Sequence, residues 1–365
     1  MPDLRDQVQA CTIKPVPDEL FIQAARAAIE ENPRNAPMRT LGPAVAPGMI
    51  GPAEMAILTG KRWVPGRVLR VKFQGGDATV RDRIVPFARR WEEHANLTLD
   101  FVGENDDAEI RIAFGNSGSW SYLGTDALVF PDAEPTMNYG WLRPNSSDDE
   151  YRRVVLHEFG HALAAVHEHA HPQAGIPWDL PKVYEYYRLT QGWTPSEVDQ
   201  QVLRRYSADQ TNASEYDPDS IMHYPVSNAL TIGDFAVDWN RDLSQRDREF
   251  IAVVYPGAGP QQQELAPGTP VSAEIGEHGE EDEFRFSLQE TSQILLETSG
   301  GTDVVMSVFG PDDETRLAAF DDDSGTGLNA RIGRLLPAGG YLVRIRHWHP
   351  RGTGEYDLRL SVDPV

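Results

Sequence analysis

Two histidines four residues apart, His157 and His161 in the run VVLHEFGHALAAVHEHAHP, constrain this chain more than any other feature. On an α-helix that spacing is about 400° of rotation, so both imidazoles leave one face roughly one turn apart. Such a pair suits two positions of a tetrahedral zinc. Glu158 sits beside the first ligand and can reach a water at the metal without coordinating it, which is the place of a general base. The flanking Val154, Val155 and Leu156 and the acidic start at Asp148 and Asp149 predict a helix here. A catalytic zinc needs a third protein ligand and one open position. His167, His169 and His171 follow at once. On a continued helix His167 would lie about 240° round and about 9 Å beyond His161. The helix must therefore break soon after Leu163, and the chain must turn back.

With His157, Glu158, His161 and His167 in that spacing, the chain resembles the metzincin metallopeptidases. The second half of the resemblance is SIMHYP, Ser220 to Pro225. It implies Met222 as an apolar, polarizable floor beneath the histidines. The form SxMHY is similar to that of astacin-like enzymes. It implies that Tyr224 is a switchable zinc ligand that swings to hydrogen-bond the oxyanion. Glu168 matches the glutamate that follows the third ligand in that family. Two departures stand out. Ala164 replaces the turn glycine, at a cost of roughly 1 kcal/mol if the geometry is kept. The only cysteine is Cys11, so the disulfides common in such domains are impossible here.

The resemblance covers residues 61–256 and implies an α+β catalytic domain: a mixed twisted sheet, a zinc helix and a C-terminal helix. It implies a zinc endopeptidase with one catalytic ion, Glu158 as base, and extended polypeptides as substrates pairing with the edge strand TMNYGWL. A secreted enzyme is implied too, although MPDLRDQVQACTIKPVPDEL has no apolar signal core. Two rivals remain. In a gluzincin, Glu185 of PKVYEYYRL would be the third ligand. In a non-catalytic, zinc-stabilised binding module, Glu158 would have no task.

Residues 1–60 are Pro-rich and read as an arm or pro-segment with one helix, DELFIQAARAAIEEN. Leu20, Ala24, Ala27 and Ile29 share its face and Asp18 caps it. Cys11 in this arm is a candidate latency ligand, because thiolate binds zinc well. Asp77 in FQGGD is a weaker candidate, better read as a turn residue. RVLRVKF, LTLDFV and AEIRIAF read as strands. ATVRDRIVPFARRWEEHAN reads as a helix flawed by Pro86. LSQRDREFIAVVYP reads as a helix capped by Ser244 and stopped by Pro256.

A linker over 257–268 precedes an all-β segment, 269–365. There EFRFSLQ, SQILLET, DVVMSVFG, YLVRIRHW and GEYDLRLSV alternate as an antiparallel sandwich should. With DDDSGTG and ARIGRLLPAGGYLVRI it resembles the prepeptidase C-terminal domains of bacterial proteases. Asp321, Asp322 and Asp323 offer oxygen ligands for calcium, although a solvated acidic turn is the simpler reading.

With 33 Lys+Arg against 56 Asp+Glu, the formal net charge is −23. That disfavours nucleic acid and anionic membranes as partners. No apolar run approaches the ~20 residues of a membrane span. A monomer is expected.

Overall fold

A computed structural model describes residues 11–36, 39–40, 60–205, 216–256, 263–276, 280–349 and 352–364. Within the expected arm, residues 1–10, 37–38 and 41–59, and within the expected linker residues 257–262, lie outside the described residues. In chain order the elements are β1 (Cys11–Ile13), α1 (Phe21–Glu31), β2 (Arg39–Thr40), β3 (Val68–Phe73), α2 (Ala78–Ala88), β4 (Thr98–Phe101), β5 (Ile110–Ala113), β6 (Ser119–Ser121), β7 (Met137–Asn138), α3 (Asp148–Ala162), α4 (Leu180–Thr190), α5 (Pro195–Val198) and α6 (Gln245–Val254). Strands follow: β8 (Gln263–Glu264), β9 (Val271–Ile275), β10 (Glu281–Leu288), β11 (Ser292–Gly300), β12 (Val304–Phe309), β13 (Arg316–Asp321), β14 (Arg331–Leu336), β15 (Gly339–His347) and β16 (Gly354–Pro364). Helices and strands in several sheets make the chain α+β. Among the described residues no helix is long and apolar enough to cross a membrane.

The chain forms two compact units. The first comprises Met1–Ala27, Val68–Glu93 and Thr98–Arg248; the second comprises Ala28–Arg67, His94–Leu97 and Glu249–Val365. In the first, one sheet runs β1-β6-β7-β5-β3-β4. Only the β6–β7 pair is antiparallel. Alternation places Leu69 and Val71 of β3 in the core while Val68 is half exposed. β7 is the expected strand TMNYGWL, and it is not an edge: β6 pairs with it on one side and β5 on the other. The three-residue SWS of β6 is too short to carry a strand pattern, and it is β6 that β1 covers, in parallel register from Cys11↔Ser119 to Ile13↔Ser121.

The long helix expected from Ala78 ends at Ala88, two residues after Pro86, and continues as a 3₁₀ turn, Arg89–Glu93. Proline has no N–H to donate and clashes with the preceding turn. Asp77 is the N-cap of α2, accepting from Thr79 N at 2.8 Å. A 3₁₀ turn, Asp18–Leu20, precedes α1 and begins after Pro17, so Asp18 lies inside the turn rather than at the cap. Ala24 of α1 is fully buried with Val16, Trp120, Tyr122, Val129 and Phe130, and Leu20 and Ala27 pack partly against them.

The second unit contains a sandwich of two sheets, β2-β13-β12-β15-β10-β8 and β14-β11-β16-β9. All pairs are antiparallel except the two-residue edges β2 on β13 and β8 on β10. Its core is formed by inward residues of both sheets, among them Phe284, Phe286, Leu296, Val343, Ile345 and Leu358. Asp321 is engaged within its own turn, accepting from Ser324 N at 3.1 Å and Arg331 N at 2.7 Å.

Candidate active site

Helix α3 opens with Ser147 accepting from Glu150 N, and with Asp148, Asp149 and Glu150 in its first turn, where the helix dipole favours acids. One helical turn separates His157 and His161, whose Nε2 atoms lie 3.1 Å apart. His167 Nε2 lies 3.0 Å from His161 Nε2. All three rings are buried. His157 Nδ1 meets Ile221 O at 2.8 Å and His161 Nδ1 meets Ala165 O at 2.8 Å. Those carbonyls hold the proton on Nδ1 and leave Nε2 as a bare lone pair. Burial keeps the rings neutral. It pushes His161 down to about 4 and, with the neighbouring imidazoles, holds His157 and His167 well below the ordinary value.

Lone pairs converging in a buried space repel one another unless a cation lies among them. Zn–N bonds of about 2.0–2.1 Å set ligand nitrogens about 3.3 Å apart in a tetrahedron, close to the spacing here. The histidine cluster therefore fits zinc. Among the described residues it is also the only group of three or more His, Cys, Asp or Glu ligand atoms that converge. Glu185 is exposed on α4 and takes no part.

The turn that returns His167 is a Schellman motif. Ala165 N donates to Gly160 O at 2.9 Å and Ala164 N to His161 O at 2.9 Å. Ala164 adopts φ +67°, so the glycine geometry is kept with an alanine in it. Below the rings, Met222 is buried so close to α3 that a Cβ on Gly160 would lie 2.4 Å from its sulfur. Asp247 fixes the Met222 turn, accepting from Ser220 Oγ at 2.6 Å and Ile221 N at 2.8 Å. The same carboxylate accepts from Ser244 N at 2.9 Å while its own N donates to Ser244 Oγ at 2.9 Å, a capping box for α6. The sequence signal S-x-x-D marks the cap; the second task of Asp247 is visible only in three dimensions.

Glu158 is fully buried, and neither carboxylate oxygen has an ordinary hydrogen-bond partner. Burial raises it to about 8, against partial relief from the Cys11 thiol and the charge of Arg153. Cys11 is 2% exposed. Its thiol lies against Glu158 rather than within the metal-ligand cluster, and burial, then the Glu158 charge, push it well up. Tyr224 hydroxyl donates to the Cys11 carbonyl. The Tyr224 ring packs 4.3 Å from His167 and, stacked, 4.4 Å from His169. His169, considered above as a ligand, instead meets Gln201 O at 3.0 Å through Nε2. His171 stands outside the cluster, beside Tyr216. Glu168 accepts from Asp217 N at 2.8 Å, and burial lifts it to about 7.

No family model matches the chain, and no curated protein matches it. Solved structures do. A structure of myroilysin is 46% identical over 54% of this chain and 96% of its own length, with a TM-score of 0.53. A second structure of myroilysin is 39% identical and covers 67% of this chain and 99% of its own, with a TM-score of 0.45. A hatching-enzyme zinc-protease of the medaka Oryzias latipes is 16% identical over 51% of this chain and 88% of its own, with a TM-score of 0.36. The pre-peptidase C-terminal domain of a Bacillus anthracis collagenase is 14% identical over 29% of this chain and 99% of its own, with a TM-score of 0.26. At that identity across nearly all of myroilysin, the chain belongs to the myroilysin family.

Proposed function

We propose that the chain is a zinc-dependent endopeptidase of the astacin-like metzincin type, with residues 61–256 as the catalytic region. The observation that carries this reading is three neutral imidazoles converging on one point with a buried carboxylate, Glu158, whose neighbour is the Cys11 thiol. Zinc bound by His157, His161 and His167 would lower the pKa of a water and polarise the scissile carbonyl. Glu158 would accept the water's proton and pass it to the leaving amine. Tyr224 already donates to a peptide carbonyl, that of Cys11, and would donate to the substrate oxygen as negative charge develops there. The substrate is an extended polypeptide that adds to the edge of β6, the place β1 now takes.

The arm would hold the enzyme latent. β1 occupies the substrate edge, and the Cys11 thiol faces the base and keeps water from it. A thiolate can also ligate zinc directly. We further propose a secreted monomer acting on unfolded or loop-presented chains. Metal analysis of the purified protein, with casein cleavage before and after a chelator, tests the reading. One zinc per chain and chelator-sensitive cleavage are expected; cleavage that survives complete metal removal sinks it.

A further inference from the structure

Contacts in the second unit give its sandwich a task. Arg34, just after α1, directs Nη1 to Glu281 at 2.9 Å and Nη2 to Glu283, both on β10. Glu283 also takes Arg344 Nε at 2.9 Å. The backbone behind Arg34 is held in several places. Arg62 Nη2 donates to Arg34 O at 3.0 Å. Asn35, 1% exposed, donates to Ala28 O at 2.8 Å and Arg62 O at 2.7 Å, and accepts from Arg62 N at 2.9 Å. Arg39 and Thr40 then pair in parallel with Arg316 and Leu317, covering the outer edge of β13.

The arm therefore has two holdfasts on one continuous stretch of chain. Its first part belongs to the catalytic unit: Cys11–Ile13 on β6, Lys14 Nζ 3.9 Å over the Trp120 ring, and Ala24 in an apolar cluster. Its second part, from Ala28, groups with the sandwich, and the boundary falls inside α1. The strand of this first holdfast is only three residues long, and most of its remaining grip comes from the Ala24 cluster and the Tyr224 hydroxyl on the Cys11 carbonyl. A second site on the same chain makes rebinding of the first intramolecular, which multiplies the two affinities. The edge of β13, bare without β2, is also a ready acceptor for an added strand.

We propose that the C-terminal sandwich is the anchor of the N-terminal arm, binding the chain's own segment Ala28–Thr40 through Arg34 on Glu281 and Glu283 and through strand addition at β13. Its consequence for activity rests on the latency reading above; the anchoring does not.

The test uses the full chain in a Glu158→Ala background, which prevents self-cleavage. A recognition sequence for a site-specific protease is inserted after Gly48, the chain is nicked, and retention of the released N-terminal fragment is followed by native size exclusion and by its dissociation rate. The fragment should co-elute with the remainder. Arg34→Gln should speed dissociation about tenfold, as loss of a bidentate charge-assisted contact does. The Glu281→Gln/Glu283→Gln pair should do the same, with no further acceleration when Arg34→Gln is added. A fragment that leaves the parent chain at once, unchanged dissociation in both variants, or strictly additive effects would each overturn the anchor. With Glu158 intact, Arg34→Gln should raise the basal peptide hydrolysis of the un-nicked chain several-fold. If dissociation accelerates and hydrolysis does not rise, the anchor stands and the latency reading fails.

Discussion

Replacing Ala164 by glycine should stabilise the first unit. Ala164 sits at φ +67° as the residue after the cap of α3, where its own N–H and that of Ala165 close the last helical turn. A side chain with a Cβ costs roughly 1–2 kcal/mol in that region. Glycine gives back about 0.5–1 kcal/mol through its greater freedom in the unfolded chain. The net gain is therefore about 0.5–1 kcal/mol. For a unit of this size that is roughly 1–4 °C in Tm. The carbonyls that orient His157 and His161 belong to Ile221 and Ala165, so zinc affinity should not move. Thermal unfolding of Ala164→Gly and parent, both in a Glu158→Ala background and at one fixed free zinc concentration, isolates the effect, since bound metal itself raises Tm. Ala164→Val serves as the opposite control: a β-branched residue at positive φ should lose more than about 1 kcal/mol. If glycine leaves Tm unchanged or lowers it while valine is tolerated, the turn carries no strain and the account of how His167 reaches its partners is wrong.

Four further outcomes follow from the same geometry. Glu158→Ala should keep its zinc by metal analysis while peptide hydrolysis falls by about 10²–10⁴-fold or more, because the proposed general base would handle protons and not metal; near-normal turnover would exclude it as the base. Tyr224→Phe should lower kcat and kcat/KM together, the signature of a contact made in the transition state; equal kinetics would confine the likeness to Met222. Removing zinc should lower the Tm of the first unit, and added zinc should restore both Tm and cleavage. Glu283 contributes to the acid limb of sandwich stability: burial alone would raise it, but Arg34 and Arg344 hold it at about 2. A folded value below the unfolded one means the stabilisation is complete above about pH 4.5 and fades as pH falls towards 2, roughly 2–3 kcal/mol for this largely buried group. Glu283→Gln should flatten that limb in acid unfolding monitored by circular dichroism.

The histidine cluster is legible in the sequence because its chemistry is local. Two ligands and a carboxylate sit within one helical turn, and the third histidine follows after a break that helix geometry demands. The strain at Ala164 is legible only conditionally: alanine in place of the turn glycine leaves open whether the glycine geometry is kept, and the structure keeps it, with φ +67°. The strand next to that cluster is a different case. SWS spans three residues and alternates no better than chance, so TMNYGWL takes its place as the edge in any reading of pattern alone. Only the register Trp120↔Asn138 moves the edge to β6. Asp247 is legible as a cap and not as the brace of the Met222 turn, because the second role depends on contacts 26 and 27 residues away.

The arm shows the limit most clearly. Its proline content marks it as extended, and its lone thiol suggests a cleft, but nothing in PRNAPMRT points to carboxylates some 250 residues later. Arg34 and Glu283 are 249 positions apart, and each on its own reads as an ordinary surface charge. What joins them is topology. β10 lies between β15 and β8, so Glu283 meets Arg344 on one side, and a chain leaving α1 brings Arg34 to the same oxygen. A carboxylate already paired with one arginine gains a second at little extra desolvation cost, since much of that cost is already incurred. One arginine and two strand residues, braced by Asn35 and Arg62 behind them, give a segment with so little pattern a defined place on the sandwich.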